Sequence, residues 1–435
     1  MDDPAAGLFR RTGVTVAAPD LDLAQFIRPG DRIVWGQGTG EPTTLIEALL
    51  AQRAALGGVS AFVGSSFSDV LQPEHADHIG FTSMGALGGL ARLARAGVLG
   101  IIPCHVGQIG ALIASGRIGC DVAMVQVSAP GPGGGHSYGL INDYTQAAVA
   151  SARVVIAEVN DQVPFSACDA QLMPDQIDLA VATSRPLVEL LAPPPGPVDL
   201  AIAAHVGAYI ADGSVLQMGI GAVPNAVTHL IGDRRDLGVH SGMIGDGIWQ
   251  LMARGIVTNA RKSLLPGVTV TGALMGSRGL YDFADRNPAL RLCDSRFTHA
   301  EAVLASIERL VTINSAVEVD LTGQVNAEAT GAAYRGATGG QVDYVRGGAR
   351  APGGHALIVL PATARGGTVS RIVENLSGPV TTARTEVDVI ITEHGAADLR
   401  GQTLAERARR LVAIADPAFR DSLAAAAWRI AKRGY

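Results

Sequence analysis

The sequence predicts an α/β protein made of two related domains, each with a largely parallel sheet flanked by helices. Three observations support this fold class. The chain has 435 residues, which exceeds what one hydrophobic core usually supports. Short β-rich runs alternate with alanine-rich stretches along its whole length. A proline-rich segment divides the sequence near its middle.

The composition favours a globular protein that acts on small molecules. Apolar residues make up 48% of the chain, charged residues 17% and aromatic residues 4%, so the core must be mainly aliphatic. The net charge is -6 and there is no long basic run, which argues against nucleic-acid binding. No apolar run approaches the ~18 residues of a membrane span, and the amino terminus lacks the apolar region of a signal peptide. We therefore expect a cytoplasmic protein with no membrane partner.

The domain boundary is predicted at a short segment that contains four prolines. Residues 192–199 read APPPGPVD. Proline has no backbone N–H to donate and is excluded from helix interiors, so this segment is expected to be a linker. We predict an N-terminal domain over residues 1–191, a linker over 192–199 and a C-terminal domain over 200–435.

Eight short apolar runs are predicted to be strands. Near-continuous apolar strands separated by helices are typical of a parallel sheet covered on both faces. The runs read RIVWG, AFVGSS, DVAMVQVS and RVVIAEVN before the prolines, and SVLQMGIG, GVTVTGAL, HALIVLP and VDVIITEHG after them. Two sheets, one in each domain, are therefore expected.

A weak internal repeat supports the idea of two related domains. GDRIVWGQGTGEPTTLIEAL aligns with ADGSVLQMGIGAVPNAVTHL, and the glycines Gly38 and Gly219 then differ by 181 positions. Each copy places a strand before a Gly-x-Gly turn, with a proline near the start of the helix that follows. Chance similarity between two strand–turn–helix units is the alternative.

Glycine-rich turns mark the candidate ligand-binding loops. The turn 219–223 joins a predicted strand to a predicted helix, where free backbone N–H groups can bind an anion or a carbonyl oxygen. An ordinary steric turn explains it equally well. The loop containing Gly38, Gly40 and Glu41 suggests close approach of the backbone to a ligand. Glu41 either caps the following helix, which is the favoured role, or faces the cleft.

Motifs for metal and cofactor chemistry are missing from the sequence. The ten histidines are scattered without an HExxH pattern, and there is no Gly-x-Ser-x-Gly turn and no Walker lysine. The four cysteines show no CxxC spacing and are expected to be buried free thiols. We therefore expect no metal. The acid, base or nucleophile candidates near predicted strand ends are His240, Asp246, Glu328, Glu393 and His394. For each of them a helix cap or a salt-bridge partner is the alternative, and the favoured one.

Taken together, the segments resemble the acetyl-CoA hydrolase/transferase family, which includes 4-hydroxybutyrate and butyryl-CoA:acetate CoA-transferases. The resemblance covers nearly the whole chain. Among the motifs that carry it are GEPTTL, DVAMVQVS, VVIAEVNDQVP, LQMGIGAVPNAV, DLGVHSGMIGDG, LMGSRGLYDF, INSAVEVDLTGQVNAE, GGQVDYVRG, LPATARGGTVSRIV and ITEHGAADLRG. It implies an active site in the cleft between the domains, with coenzyme A or acyl-CoA as substrate beside a carboxylate. Because members of the family commonly associate, it also implies a homo-oligomer.

The resemblance also assigns binding residues. The loop with Gly38 and Gly40 is similar to the family's acyl-side loop. The residues that resemble CoA contacts are Gly219, Ile220, Gly221, Ala222, Val223, Gly339, Gly340 and Gly353.

The catalytic position departs from the family pattern. In that family a glutamate in the stretch His-Thr-Glu-Met attacks the thioester carbonyl and then carries CoA as a glutamyl thioester, which is covalent catalysis. Here the stretch reads His240-Ser241-Gly242-Met243. A glycine has no atom that can form the anhydride, so Gly242 marks a missing nucleophile.

Three functions follow from this departure. The first is an acyl-CoA hydrolase, in which the turn at Gly219 polarises the thioester and Glu41 or His240 orients the attacking water. The second is a CoA-transferase that uses a displaced carboxylate, with Glu41, Glu328 or Glu393 as candidates. The third is a catalytically silent CoA-binding or regulatory protein. The missing glutamate favours hydrolysis, whereas the family resemblance favours transfer.

Overall fold

The first half of the chain folds around an eight-stranded parallel sheet. The computed structural model describes residues 13–331 and 333–433, and the amino-terminal segment on which the compartment prediction depends lies outside them. In spatial order the strands are Val14–Ala17, Leu179–Thr183, Val154–Asn160, Val122–Val127, Arg32–Trp35, Val59–Phe62, Ile79–Ser83 and Leu99–Ile101. The helices packed around them are Thr43–Gln52, Leu90–Arg95, Val106–Ala114 and Thr145–Ser151.

The second half folds around a six-stranded sheet whose first five strands are parallel. In spatial order the strands are Gly238–Val239, Val215–Met218, Leu310–Ser315, His355–Val359, Val389–Thr392 and the antiparallel Gly395–Asp398. Its helices are Pro197–Gly207, Ala222–Leu230, Asp246–Ala253, Arg278–Ala284, Ser295–Thr298, Glu301–Ala305, Gln341–Arg350, Leu404–Ala413 and Arg420–Arg433. None of the helices in the described residues combines the length and the apolarity needed to cross a bilayer.

The predicted α/β class with parallel sheets flanked by helices is confirmed. Seven of the eight predicted strand segments contribute to the two large sheets. The exception is Thr269–Thr271, which was expected in the second sheet. It lies in a separate three-stranded parallel sheet with Leu290–Leu292 and Ala167–Cys168, and among the described residues only a single bridge, His240 to Val270, connects it to the chain beside the six-stranded sheet. Since Ala167–Cys168 comes from the first half, this small sheet joins the two halves.

The segment between the large sheets contains no helix or strand from residue 184 to residue 196. The next helix begins at Pro197, inside the predicted linker, because proline is well tolerated in the first turn of a helix. The domain boundary at 192–199 stays a prediction. Further short strands are Glu318–Asp320, Val325–Asn326, Ala329–Thr330, Ala333–Tyr334, Thr363–Ala364, Val369–Ser370 and Ile372–Val373.

Backbone hydrogen bonds hold the two halves together at a cleft. The N–H of Leu274 donates to the carbonyl of Leu140 at 2.8 Å, and the N–H of Asn142 donates to that of Gly272 at 3.0 Å. These bonds lie beside the ends of several parallel strands, where α/β proteins bind their ligands. The four cysteines are all free thiols.

Candidate active site in the cleft between the two halves

A cavity of about 240 Å³ lies between the two halves. Its walls are largely apolar, with a few polar side chains, as is typical of a small-molecule site. The first half contributes Gln37, Ser65, Phe67, Met84, Leu87, Val106 and Asp143. The second half contributes Gln217, Gly219, Ile220, Gly242, Met243, Ala273, Met275, His299, Asn314, Gly339, Gly340 and Tyr344.

The predicted glycine turn reaches this cavity. Gly219 and Ile220 line it, while Gly221 lines a smaller cavity of about 40 Å³ that shares both of these neighbours. The helix that follows begins at Ala222, and the lining residues include neither Ala222 nor Val223. The first N–H groups of this helix have no intrahelical partner and present partial positive charge to the cleft side of the turn.

We predict that Gly221→Ala lowers the free energy of unfolding by about 1–2 kcal/mol. The backbone of Gly221 has φ 124° and ψ -172°, a conformation that side chains rarely adopt. Gly219→Ala is the matched control, because no atom lies within 4 Å of an added Cβ there and its φ is not positive. Urea unfolding of the two variants measures the difference, and equal stability would contradict the strained turn.

The glycines of the second predicted CoA-binding loop are only partly brought together. Gly339 and Gly340 line the cavity just before the helix Gln341–Arg350. Gly353 follows the far end of that ten-residue helix, roughly 15 Å along its axis. Its predicted contact with CoA stays a prediction.

Gly38 and Gly40 lie in tightly packed positions, Gly38 against the second half and Gly40 against Ile141 of the first half. An added Cβ at Gly38 would be 2.8 Å from Cε of Met275 in the second half, and one at Gly40 would be 2.6 Å from Ile141. Both positions therefore need a residue without a side chain. Neither glycine is among the residues lining the cavity, although Met275 is.

Glu41 is buried behind the cavity wall. Its side chain is 0% exposed, and Oε2 accepts hydrogen bonds from the backbone N–H groups of Phe67 (3.0 Å) and Ser68 (2.9 Å). Burial raises the pKa of this carboxyl, and the hydrogen bonds oppose the shift. Because Phe67 lines the cavity and Glu41 does not, the observed contacts of Glu41 fix the position of the Phe67 loop.

His240 is also buried outside the cavity. Its ring packs against Phe297, with centroids 5.6 Å apart, and no hydrogen-bond partner is found for either ring nitrogen in the described part of the chain. Burial lowers its pKa to about 3, and the nearby Lys262 and His299 add to the shift. The catalytic roles of Glu41 and His240 stay predictions. Because neither side chain lines the cavity, each would have to act on the substrate through another group.

Gly242 lines the cavity, and the imidazole of His299 lies against it. A Cβ built on Gly242 would be 2.6 Å from Cε1 and 2.7 Å from Nε2 of His299, and 3.2 Å from Oη of Tyr344. His299 was not among the predicted site residues, because it belongs to no motif and lies 57 positions after Gly242. Only the folded chain brings the two together.

Asp143 is a second residue that the sequence analysis overlooked. Among the described residues that line the cavity, it alone carries a carboxylate. The amide of Gln37 and the backbone N–H of Tyr144 donate hydrogen bonds to it. Burial raises its pKa to about 7, so a large fraction is protonated at neutral pH.

The carboxylates predicted as displaced nucleophiles lie elsewhere. Glu328 accepts hydrogen bonds from the hydroxyls of Tyr334 and Thr381, the latter at 2.7 Å. Glu393 accepts one from the N–H of Ala362 at 2.8 Å. The cavity lining includes neither glutamate. No group of three or more side chains suited to a metal ion occurs in residues 13–331 and 333–433.

Comparison with known proteins adds an independent finding. Residues 17–189 match the model of the acetyl-CoA hydrolase/transferase N-terminal domain, and residues 276–427 match that of the C-terminal domain. A 4-hydroxybutyrate coenzyme A transferase from Clostridium kluyveri is 39% identical over 396 residues, which cover 90% of this chain and 92% of the relative. The crystal structure of RipA from Yersinia pestis superposes with a TM-score of 0.91 at 32% identity, covering 96% of this chain and 97% of RipA.

The similar proteins include both reaction types. Most of the curated relatives are named as CoA-transferases, but an acetyl-CoA hydrolase from Kluyveromyces lactis is 28% identical over 203 residues. That match covers 45% of this chain and 37% of the hydrolase.

Proposed function

The chain belongs to the acetyl-CoA hydrolase/transferase family, and from that premise we propose that it releases CoA from acyl-CoA thioesters by attack of water. The observation that carries the proposal is the cavity wall at Gly242, which presents an imidazole and no carboxylate. Without a nucleophilic acid at this position, the glutamyl thioester of a ping-pong transfer has no atom to form on. Hydrolysis needs only a polarised carbonyl, a water molecule and a base.

The turn 219–221 supports polarisation of the carbonyl. Free N–H groups at the start of the helix Ala222–Leu230 are the donors on this side of the cleft. Hydrogen bonds aimed at a developing oxyanion stabilise the transition state by roughly 3–4 kcal/mol per donor in acyl-transfer enzymes. We therefore place the thioester carbonyl beside Ile220, with the acyl group toward the apolar side chains Met84, Leu87 and Val106.

The test is release of free thiol from a panel of acyl-CoAs by the purified protein, with and without acetate. Hydrolysis is expected to release thiol at a rate that acetate does not change. Acyl-CoA binding without release would instead identify a silent CoA-binding protein. If the protein neither binds nor cleaves any of the acyl-CoAs, the proposed function is wrong.

A second candidate is CoA transfer through Asp143, since this carboxylate lines the cavity and most of the similar proteins are transferases. Transfer would carry CoA on Asp143 as an aspartyl thioester. Its raised pKa works against this role, because the protonated acid is a poor nucleophile. Treatment with borohydride or hydroxylamine after acyl-CoA addition distinguishes the candidates. A mass change at Asp143 would support transfer, and an unmodified Asp143 in an active enzyme supports hydrolysis.

A further inference from the structure

His299 is held rigidly at the cavity wall. It directly follows the short helix Ser295–Thr298, whose first turn is capped by the carboxylate of Asp294. The ring packs against Tyr344 with centroids 4.8 Å apart, and the residue is 6% exposed. A side chain held this way loses little further freedom when it acts on a substrate.

Two glycines that line the cavity make room for the ring. A Cβ on Gly242 would be 2.7 Å from Nε2 of His299, and a Cβ on Gly340 would be 2.6 Å from the same atom. Real Cβ atoms do not approach that closely, so side chains at either position would collide with the ring. The imidazole edge that carries Nε2 therefore occupies the space beside Gly242, where the family resemblance places the missing glutamate.

The hydrogen bonds of the ring are made through Nδ1. Nδ1 lies 2.9 Å from Oγ1 of Thr298, and that hydroxyl donates to the carbonyl of Asp294 at 3.4 Å. A threonine hydroxyl has one proton, so if it donates to Asp294 it must accept from Nδ1–H. With that donation to Asp294, Nδ1 carries the proton and Nε2 the lone pair, which is the tautomer that a base at Nε2 requires. In the described part of the chain no group forms a hydrogen bond with Nε2.

We propose that Nε2 of His299 is the general base of this enzyme, an inference that rests on the proposed hydrolysis. Nε2 takes a proton from a water molecule while the water oxygen bonds to the thioester carbon. The tetrahedral adduct then breaks its C–S bond, and the departing thiolate recovers the proton from the imidazolium. Acyl-CoA and water thus become a carboxylic acid and free CoA, with the base restored.

The orientation of the ring supports this step over a purely structural role. Thr298 fixes the tautomer on the Nδ1 side, as a positioning residue does for a catalytic histidine. Burial lowers the pKa of His299 to about 3, which keeps the imidazole neutral at physiological pH but also weakens it as a base, so the role is supported by the position of the ring and not by this shift.

The experiment compares His299→Ala with the wild-type enzyme, using thiol release from the acyl-CoA that the wild type cleaves fastest. Loss of a general base is expected to lower kcat by about 100-fold or more, with KM changed little. The small cavity left by the alanine should admit imidazole, and added imidazole should restore part of the lost rate in proportion to its concentration. His229→Ala, on the exposed side of the helix Ala222–Leu230, is the matched control and should show neither loss nor rescue.

Two results would overturn the proposal. One is a kcat of His299→Ala within about threefold of wild type, which is below the range for a lost general base. The other is a folded, slow His299→Ala that imidazole does not rescue. If the alanine variant fails to fold, His299→Gln keeps most of the volume without a base, and wild-type activity in it would also overturn the proposal. Absence of thiol release by the wild type contradicts the proposed function itself and is thereby distinguished from failure of the base alone.

Discussion

Gly242→Glu is expected to create acetate-dependent CoA transfer only when His299→Ala is present in the same protein. The backbone of Gly242 is not in a positive-φ conformation, so the position accepts a side chain as far as the main chain is concerned. The obstacle is the imidazole, 2.6 Å from the new Cβ. Removing the imidazole opens the volume that a glutamate needs to reach the thioester. The double variant would then hold the family's nucleophile in a cavity whose other walls are unchanged.

Four proteins measure this effect: the wild type, the two single variants and the double variant. Gly242→Glu alone should lose about 1–3 kcal/mol of unfolding free energy from overpacking and show no transfer. The double variant should regain most of that stability. It should also form acetyl-CoA from acetate and a donor acyl-CoA, with hydroxylamine modifying residue 242. The His299→Ala single variant is the control, because it removes the imidazole without adding the glutamate.

Equal transfer by Gly242→Glu with and without His299→Ala would contradict this account. It would mean that the ring moves aside at little cost, despite its packing against Tyr344 and Gly340. Transfer by neither protein would show instead that a second feature of the cavity, beyond residue 242, has been lost.

The sequence predicts those parts of the fold whose strands are buried on both faces. Val122–Val127 is buried at all six positions and is apolar except for Gln126, so its pattern identifies it directly. Ile79–Ser83 alternates between buried and more exposed positions and includes a glycine, and a search for continuous apolar runs misses it. Thr269–Thr271 is correctly predicted as a strand, but its sheet is decided by a partner from the other half of the chain.

Some residues of the candidate site can be predicted from the sequence, and others cannot. Gly219, Ile220, Gly339 and Gly340 line the cavity. The turn at Gly219 has a glycine signature after a predicted strand, whereas Gly339 and Gly340 were assigned by the family resemblance. Asp143 and His299 have no such signature, since each is surrounded by residues distant in sequence, such as Gln37 beside Asp143 and Gly242 beside His299. The sequence contains only an indirect sign of His299. Two glycines, Gly242 and Gly340, lie far apart in sequence, and both are explained by the same imidazole.

His240→Leu is expected to gain stability relative to the wild type as the pH falls. The folded-state pKa of His240 is lowered to about 3 by burial, then by Lys262 and His299, whereas the unfolded chain titrates near 6.5. Between these values the unfolded wild type binds a proton that the folded protein lacks, so its stability decreases with falling pH. The slope is about 1.4 kcal/mol per pH unit. Leucine has a similar size and does not titrate.

The measurement is urea unfolding of both proteins at pH 7.5, 6 and 5. The unfolding free energy of His240→Leu minus that of the wild type should rise by about 2 kcal/mol from pH 7.5 to pH 5. Other groups act on both proteins and largely cancel in the difference. Asp143, with its raised pKa, is one of them and stabilises the folded state as the pH falls.

The same variant separates the structural role of His240 from a catalytic one. Its ring nitrogens have no hydrogen-bond partners among the described residues and do not line the cavity, so leucine should leave kcat for thiol release within about threefold of wild type. A pH-independent stability difference would show that the folded protein binds the proton after all. A large loss of kcat at unchanged stability would show that His240, rather than His299 alone, acts on the substrate.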